Sequence, residues 1–184
     1  MTNWYIADTH FGHENIIKLC NRDFASVEAM DQELVFYIND CVGPDDDLWV
    51  IGDFSCNKRA KDGDYLSRIF NQINGRKHLI IGNHDTKKVL ELPWVSIQQQ
   101  VQIKDGEHTF FLNHYPMITW PGARYGCIQL FGHIHNNWLG SRNSLNLSVE
   151  HWAYGPINAR EIMNNVSELP INPLWSQVEP ECEI

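Results

Sequence analysis

What this chain of 184 residues lacks narrows it first. No apolar stretch approaches the ~20 residues that a membrane-spanning helix needs, so no membrane association is expected. Its five cysteines (20, 41, 56, 127 and 182) form no Cys-x-x-Cys pair, and their number is odd. That pattern argues against a disulfide framework or a thiolate zinc site and predicts a reducing compartment, the cytoplasm. The opening Met1-Thr2-Asn3-Trp4 has neither the basic nor the apolar region of a secretion signal. Basic residues are short as well: 14 Lys and Arg against 23 Asp and Glu give a formal charge of −9. Such a surface repels a polyanion and disfavours a protein that grips duplex nucleic acid by its phosphates, although it leaves a single phosphate ester open as substrate. There is no internal repeat, low-complexity tract or linker. The length suits one domain over 1–184 with a well-filled core, its last stretch, 167–184, an extended tail rich in Pro and Glu.

What is present alternates between strand and helix. Asn3 to Ala7 is short and β-prone. Ser26 reads as an N-cap, and Met30, Leu34 and Ile38 behind it recur at the four-residue spacing of a helix ending before Gly43-Pro44. Leu48 to Ile51 is a buried strand, Tyr65, Ile69 and Ile73 mark a helix over 62–74, and a third strand runs over 76–81. This order predicts a parallel βαβ arrangement. Then Val95, Ile97, Gln99, Val101 and Ile103 alternate as one strand, and Asp105-Gly106 signals a hairpin whose second arm ends at Asn113. Further strands are expected over 127–131 and 145–150. Pro156 is expected to open a helix reaching about Val166.

Five strand ends carry side chains that packing does not ask for: Asp8 with His10, Asp53, Asn83-His84-Asp85, His114, and His133 with His135. Asp8 and His10 lie two apart, as do His133 and His135, so each pair faces one side of an extended backbone. Imidazoles, carboxylates and one amide, without a thiolate, suit divalent manganese, iron, nickel or zinc. Seven candidate ligands exceed the four of a structural zinc site and suit two metals sharing a carboxylate. Such a pair, ~3.5–4 Å apart, serves in-line displacement at phosphorus.

In order, Asp8-x-His10, Gly52-Asp53, Gly82-Asn83-His84-Asp85, His114 and Gly132-His133-x-His135 resemble the signature of the calcineurin-like metallophosphoesterases. The surrounding words, Thr9 to His13, Asn21-Arg22, Asn113 to Pro116 and Asn146 to Glu150, are similar to those of a small bacterial and phage-type subgroup. The resemblance implies a four-layer α-β-β-α sandwich of two mixed sheets flanked by helices. It implies that Asp8, His10 and His135 hold one metal, that Asn83, His114 and His133 hold the second, and that Asp53 bridges both. His84 would be the catalytic histidine, with Asp85 beside it orienting its ring. The expected activity is a phosphatase or phosphodiesterase on a small, nucleotide-like phosphoester, using two divalent metals with manganese first. His13 and Arg22 are candidates to touch the substrate phosphate. A nuclease or phosphoprotein phosphatase, and a non-enzymatic interaction scaffold on the same fold, are the competing readings.

Overall fold

The computed structural model describes residues 1–179. Cys182 and the end of the expected tail lie outside the described residues. In chain order the elements are β1 (Asn3–Ile6), α1 (Glu14–Leu19), α2 (Val27–Cys41), β2 (Asp47–Ile51), α3 (Gly63–Gln72), β3 (Arg76–Ile80), α4 (Lys87–Leu90), β4 (Ser96–Gln98), β5 (Gln100–Asp105), β6 (His108–Asn113), β7 (Ile128–Phe131), β8 (Gly140–Ser141), β9 (Ser144–Asn146), β10 (Ile157–Asn158), α5 (Ala159–Glu168) and α6 (Trp175–Val178). They build two mixed sheets of five strands each, ordered β10-β1-β2-β3-β4 and β5-β6-β7-β9-β8. In the first sheet β1 to β4 run parallel and only β10 is reversed. In the second, β6, β7 and β9 are parallel, with β5 and β8 antiparallel at the edges.

The two-residue period of a strand separates two cores. From the first sheet, Tyr5, Trp49, Ile51 and Ile80 point at Phe110, Leu112, Ile128, Leu130 and Leu145 of the second. Ile6, Leu48, Val50 and Leu79 point the other way, onto Met30, Leu34 and Ile38 of α2 and Leu66, Ile69 and Phe70 of α3. Both helices begin where a side chain accepts an otherwise unpaired backbone N–H: Ser26 from Ala29, Asp62 from Tyr65. The outer face of the second sheet is covered by Trp120, Ala123 and Trp175 over Phe111.

Three expectations give way. The alternating run over 95–103 is not one strand: its first half is β4 in one sheet and its second half is β5 in the other, so the chain changes sheets at Gln99. Alternation reports two-faced exposure and is blind to which neighbour a strand pairs with. Pro156 does not open a helix; it precedes the short edge strand β10, and α5 starts behind Asn158. Asn158 accepts from Glu161 N while the Glu161 side chain accepts from Asn158 N, a reciprocal cap that fixes the start. The tail is docked rather than extended over its described part. α5 continues to Glu168, α6 inserts Trp175, 3% exposed, beside Trp120 with ring centroids 6.2 Å apart, and Glu179 accepts from Thr119 and Arg124.

Trp175→Ala should therefore cost on the order of 3 kcal/mol in urea unfolding, as truncation of a buried aromatic does. A change below about 0.5 kcal/mol, typical of a surface position, would mean that the tail only drapes over the sheet.

Candidate metal centre

All the strand tips singled out by sequence converge at the carboxyl ends of β1, β2, β3, β6 and β7. The backbone gets them there by an uncommon route. Asp8, His10, Asp53, His133 and His135 all have φ between +49° and +71°, the left-handed region that non-glycine residues avoid. Each such residue costs of order 1 kcal/mol or more and persists only where its surroundings fix it. Here the turns are stitched to one another. Asp8 N donates to Gly52 O (3.1 Å), His10 N to Asp53 O (3.0 Å) and Gly132 N to His114 O (3.0 Å). Ala7 N donates to Leu147 O (2.9 Å), tying the end of β1 to the strand of the opposite sheet.

Close approach explains two of the glycines. A Cβ at Gly82 would lie 2.3 Å from Asp53 Oδ1, and one at Gly132 would lie 2.3 Å from Asp8 Oδ2. Neither position has the positive φ that would demand glycine for its turn. Each is small so that a neighbouring carboxylate can pass over it.

The side chains form two groups. Ligand-type atoms of Asp8, His10 and His135 lie within 4.8 Å of one another, and so do those of Asp53, His114 and His133. Asp53 Oδ2 joins them, 3.5 Å from His10 Nε2 and 3.4 Å from His114 Nε2. His114 Nε2 is also 3.1 Å from Asn83 Oδ1. His114 Nδ1 sits 3.0 Å from Ile51 O, an acceptor only, so the ring proton is on Nδ1 and the Nε2 lone pair faces two oxygens. Asp8 Oδ1 and His10 Nε2 are buried without any hydrogen-bond partner among the described residues. Lone pairs converging without a proton between them, and buried acceptors left unpaired, are the pattern that a cation completes. The donor set fits divalent metals of the manganese-to-zinc range. The thiols of Cys56, near His10 and His13, and of Cys20, near His135, stand at the edge of this cluster.

The electrostatics follow the same geometry. Burial pushes Asp8 up to about 6, despite His114 and His135 beside it. Burial pushes His10 down to about 4. For Asp53, burial is outweighed by the His10 and His114 rings beside it, which hold it well below the usual carboxylate range. Burial opposes charge on His135, yet Cys20, Glu150 and Asp8 push it up to about 10.

Three site residues sit otherwise than the sequence suggested. Asp85 does not touch the His84 ring. Its Oδ2 accepts from Gly82 N (2.8 Å) and Asp53 N (3.0 Å), and its Oδ1 from Phe54 N (2.9 Å). It is a clamp on the turn that carries Asp53, against which burial pushes its own pKa up to about 7. Arg22 is no phosphate-reaching arm: it is 3% exposed. Its guanidinium donates to Asp8 O (2.7 Å), Thr9 O (3.0 Å) and Glu150 Oε1 (2.7 Å). His13 is 7% exposed, with its Nδ1 3.1 Å from His10 Nδ1. His84 itself is exposed, its N donating to Asp53 Oδ1 (2.8 Å) and its ring 5.5 Å from that of His10.

Sequence reasoning missed the supports. Glu150 Oε1 lies 3.0 Å from His135 Nδ1 and holds that ring. Ser148 Oγ donates to Asp8 Oδ2 (2.6 Å), and Asn146 Nδ2 donates to His135 O (2.7 Å). The signal was there: in Leu145 to Glu150 the polar residues 146, 148 and 150 alternate with Leu145, Leu147 and Val149, so one face of that segment is polar and buried.

No family model matches the chain. An uncharacterized protein of Methanocaldococcus jannaschii is 35% identical over 163 residues, which span 84% of this chain and 85% of that protein. The Gene 66 protein of Mycobacterium phage D29 is 26% identical over 197 residues, covering 90% and 97%. The crystal structure of a protein of unknown function from Aquifex aeolicus is similar at a TM-score of 0.71 and 29% identity, covering 89% of this chain and 98% of that one. This chain and the archaeal protein belong to one family, and the Asp, His and Asn motifs set in order on the strand tips of its two-sheet sandwich resemble those of the calcineurin-like metallophosphoesterases.

Proposed function

We propose that the chain is a metal-dependent phosphoric ester hydrolase acting on a small phosphoester. The observation that carries this reading is the pair of ligand groups joined at Asp53 Oδ2, with Asp8 Oδ1 and His10 Nε2 buried and unpaired between them. Asp8, His10 and His135 would hold one cation, Asn83, His114 and His133 the other, and Asp53 both. Bound there, two divalent ions, manganese first and iron, nickel or zinc as alternatives, would supply hydroxide near neutral pH and offset charge on the phosphoryl oxygens.

The protein's own part is placement and proton transfer. His114 donates Nδ1–H to Ile51 O and keeps its Nε2 lone pair inward. His135 donates Nδ1–H to Glu150, which turns its Nε2 inward. His10 Nδ1 faces His13 Nδ1 at 3.1 Å; with the proton on His10 Nδ1 its Nε2 lone pair is also kept inward, which makes His13 a positioning residue in this reading. Asp85 holds Asp53 through the backbone. His84, exposed at the rim, gives a ring proton to the oxygen of the leaving alcohol. An interaction scaffold would need none of these paired donors.

Hydrolysis of bis-p-nitrophenyl phosphate and p-nitrophenyl phosphate with added manganese is the direct test. Turnover of either supports the hydrolase; no turnover with manganese, iron, nickel or zinc favours a scaffold. His84→Ala should lower kcat by 10²–10⁴ and leave the metal content, read by elemental analysis, intact; loss of metal with it would make His84 a ligand. Glu150→Gln should weaken manganese binding about 10–100-fold in a calorimetric titration, because His135 loses its anionic partner. Unchanged affinity would show that Glu150 does not support the site.

A further inference from the structure

Beside His84 lies a groove of about 860 Å³, lined by Asn83 and His84 at one place and by Lys58, Arg59 and Lys61 at another. Three cations together are unusual in a chain whose formal charge is −9. They belong to the segment between β2 and α3. That segment is held in place: Ala60 is fully buried and its carbonyl accepts from Thr86 Oγ1, next to the clamp residue Asp85. The cations are therefore presented by a fixed backbone.

They are not equivalent. The Arg59 guanidinium lies 4.9 Å over the Tyr65 ring and pairs with Glu28 at 3.2 Å, so both its charge and that of Glu28 are engaged. Lys58 and Lys61 are exposed, and neither has a carboxylate at ion-pair distance among the described residues. Glu14 is the remaining carboxylate on the groove wall. Two uncommitted ammonium groups thus share the groove with one uncommitted carboxylate. An ammonium on a flexible stem is a point-charge partner for a phosphate.

Position gives the second half of the argument. If His84 hands its proton to the leaving oxygen, the space that His84 lines receives the leaving alcohol. We infer that Lys58 and Lys61 form a subsite for a phosphate carried by that alcohol, so that the substrate is a phosphodiester whose leaving group is itself phosphorylated. The inference rests on the hydrolase reading above. The groove volume falls within the range of small-ligand clefts, about 300–1,000 Å³, and suits a nucleotide-sized group rather than a polymer. The reaction needs only water. A P–O bond to the water oxygen forms and the P–O bond to the leaving alcohol breaks; that oxygen takes the proton from His84, and the proton shed by the attacking water passes to solvent, from which His84 is reprotonated.

The test uses the full manganese-loaded chain and two readouts. In equilibrium titrations, thymidine 3′,5′-bisphosphate should bind about tenfold tighter than the 3′- or 5′-monophosphate at low salt, the gain of two exposed ion pairs. Salt of about 0.5 M should close the gap by screening. Lys58→Ala/Lys61→Ala should bring the bisphosphate to the level of the monophosphates at an unchanged thermal midpoint. Equal affinities in the wild type, or a preference that survives the double substitution, would overturn the subsite. In kinetics, one of the two terminally phosphorylated forms of dithymidine monophosphate should show a higher kcat/KM than the unphosphorylated diester; equal values for all three would also overturn it. A lysine-dependent binding preference without hydrolysis of any diester or of p-nitrophenyl phosphate would sink the hydrolase reading and leave the anion subsite standing, whereas monoester turnover without diester turnover would keep the hydrolase and overturn the diester substrate, so the two fail separately.

Discussion

Asp53 stands on left-handed backbone with its carboxylate buried between two imidazoles, and the neighbouring turns are arranged to keep it there. Its carbonyl accepts from His10 N, its own N donates to Asp85, its Oδ1 accepts from His84 N and its Oδ2 faces His10 and His114. Four of the five strand tips are thereby referenced to one residue. A bare carboxylate buried this deeply would be protonated or expelled. The flanking His10 and His114 rings and the His84 N–H on Oδ1 keep it well below the usual carboxylate range, ionised, which is the state in which it can join two cations.

The strained turns make sense in the same terms. A strand continuing in β geometry would carry its next side chains to alternate faces, away from a common point. The left-handed residue at Asp8, Asp53 and His133 turns the chain at once, and the following residues fold back over the sheet end. The strain is offset by hydrogen bonds between turns and by the two apolar cores beneath, which fix the strands rigidly enough to over-determine the tips. The bridge from Ala7 to Ser148 matters most here, because it locks the register of one sheet against the other at the level of the site.

Much of this could be read from the residues. The parallel β1-β2-β3 core followed from strand–helix alternation, since local apolar periodicity and the Ser26 and Asp62 caps agree with the tertiary arrangement. The ligand-type residues were visible because polar groups at the ends of apolar strands have no packing rationale. What escaped was partnership across the sequence. Nothing local says that residues 95–103 serve two sheets, or that Arg22 answers Glu150 from 128 positions away. Asp85 shows the limit most clearly. Adjacency to His84 suggested an orienting role, yet two consecutive side chains leaving a tight turn point apart, and the Asp85 carboxylate meets three backbone N–H groups instead, one of its own turn and two of the turn that carries Asp53.

That displacement leaves the site with two kinds of imidazole. Among the ligand-type rings, His114 is fixed by Ile51 O, His135 by Glu150 and His10 by His13, while His133 lies against the Tyr115 ring with centroids 4.5 Å apart. The His84 ring has no hydrogen-bond partner among the described residues. A ligand must be held in one tautomer and orientation before the cation arrives, because any ordering left undone subtracts from affinity. A proton donor is under no such demand. Its work is confined to the moment when negative charge gathers on the leaving oxygen, and that oxygen can itself complete the hydrogen bond that aims the ring. Rigidity is therefore concentrated where binding must precede chemistry. It is relaxed at the one ring whose partner arrives with the substrate, on the side where the groove and its lysines begin.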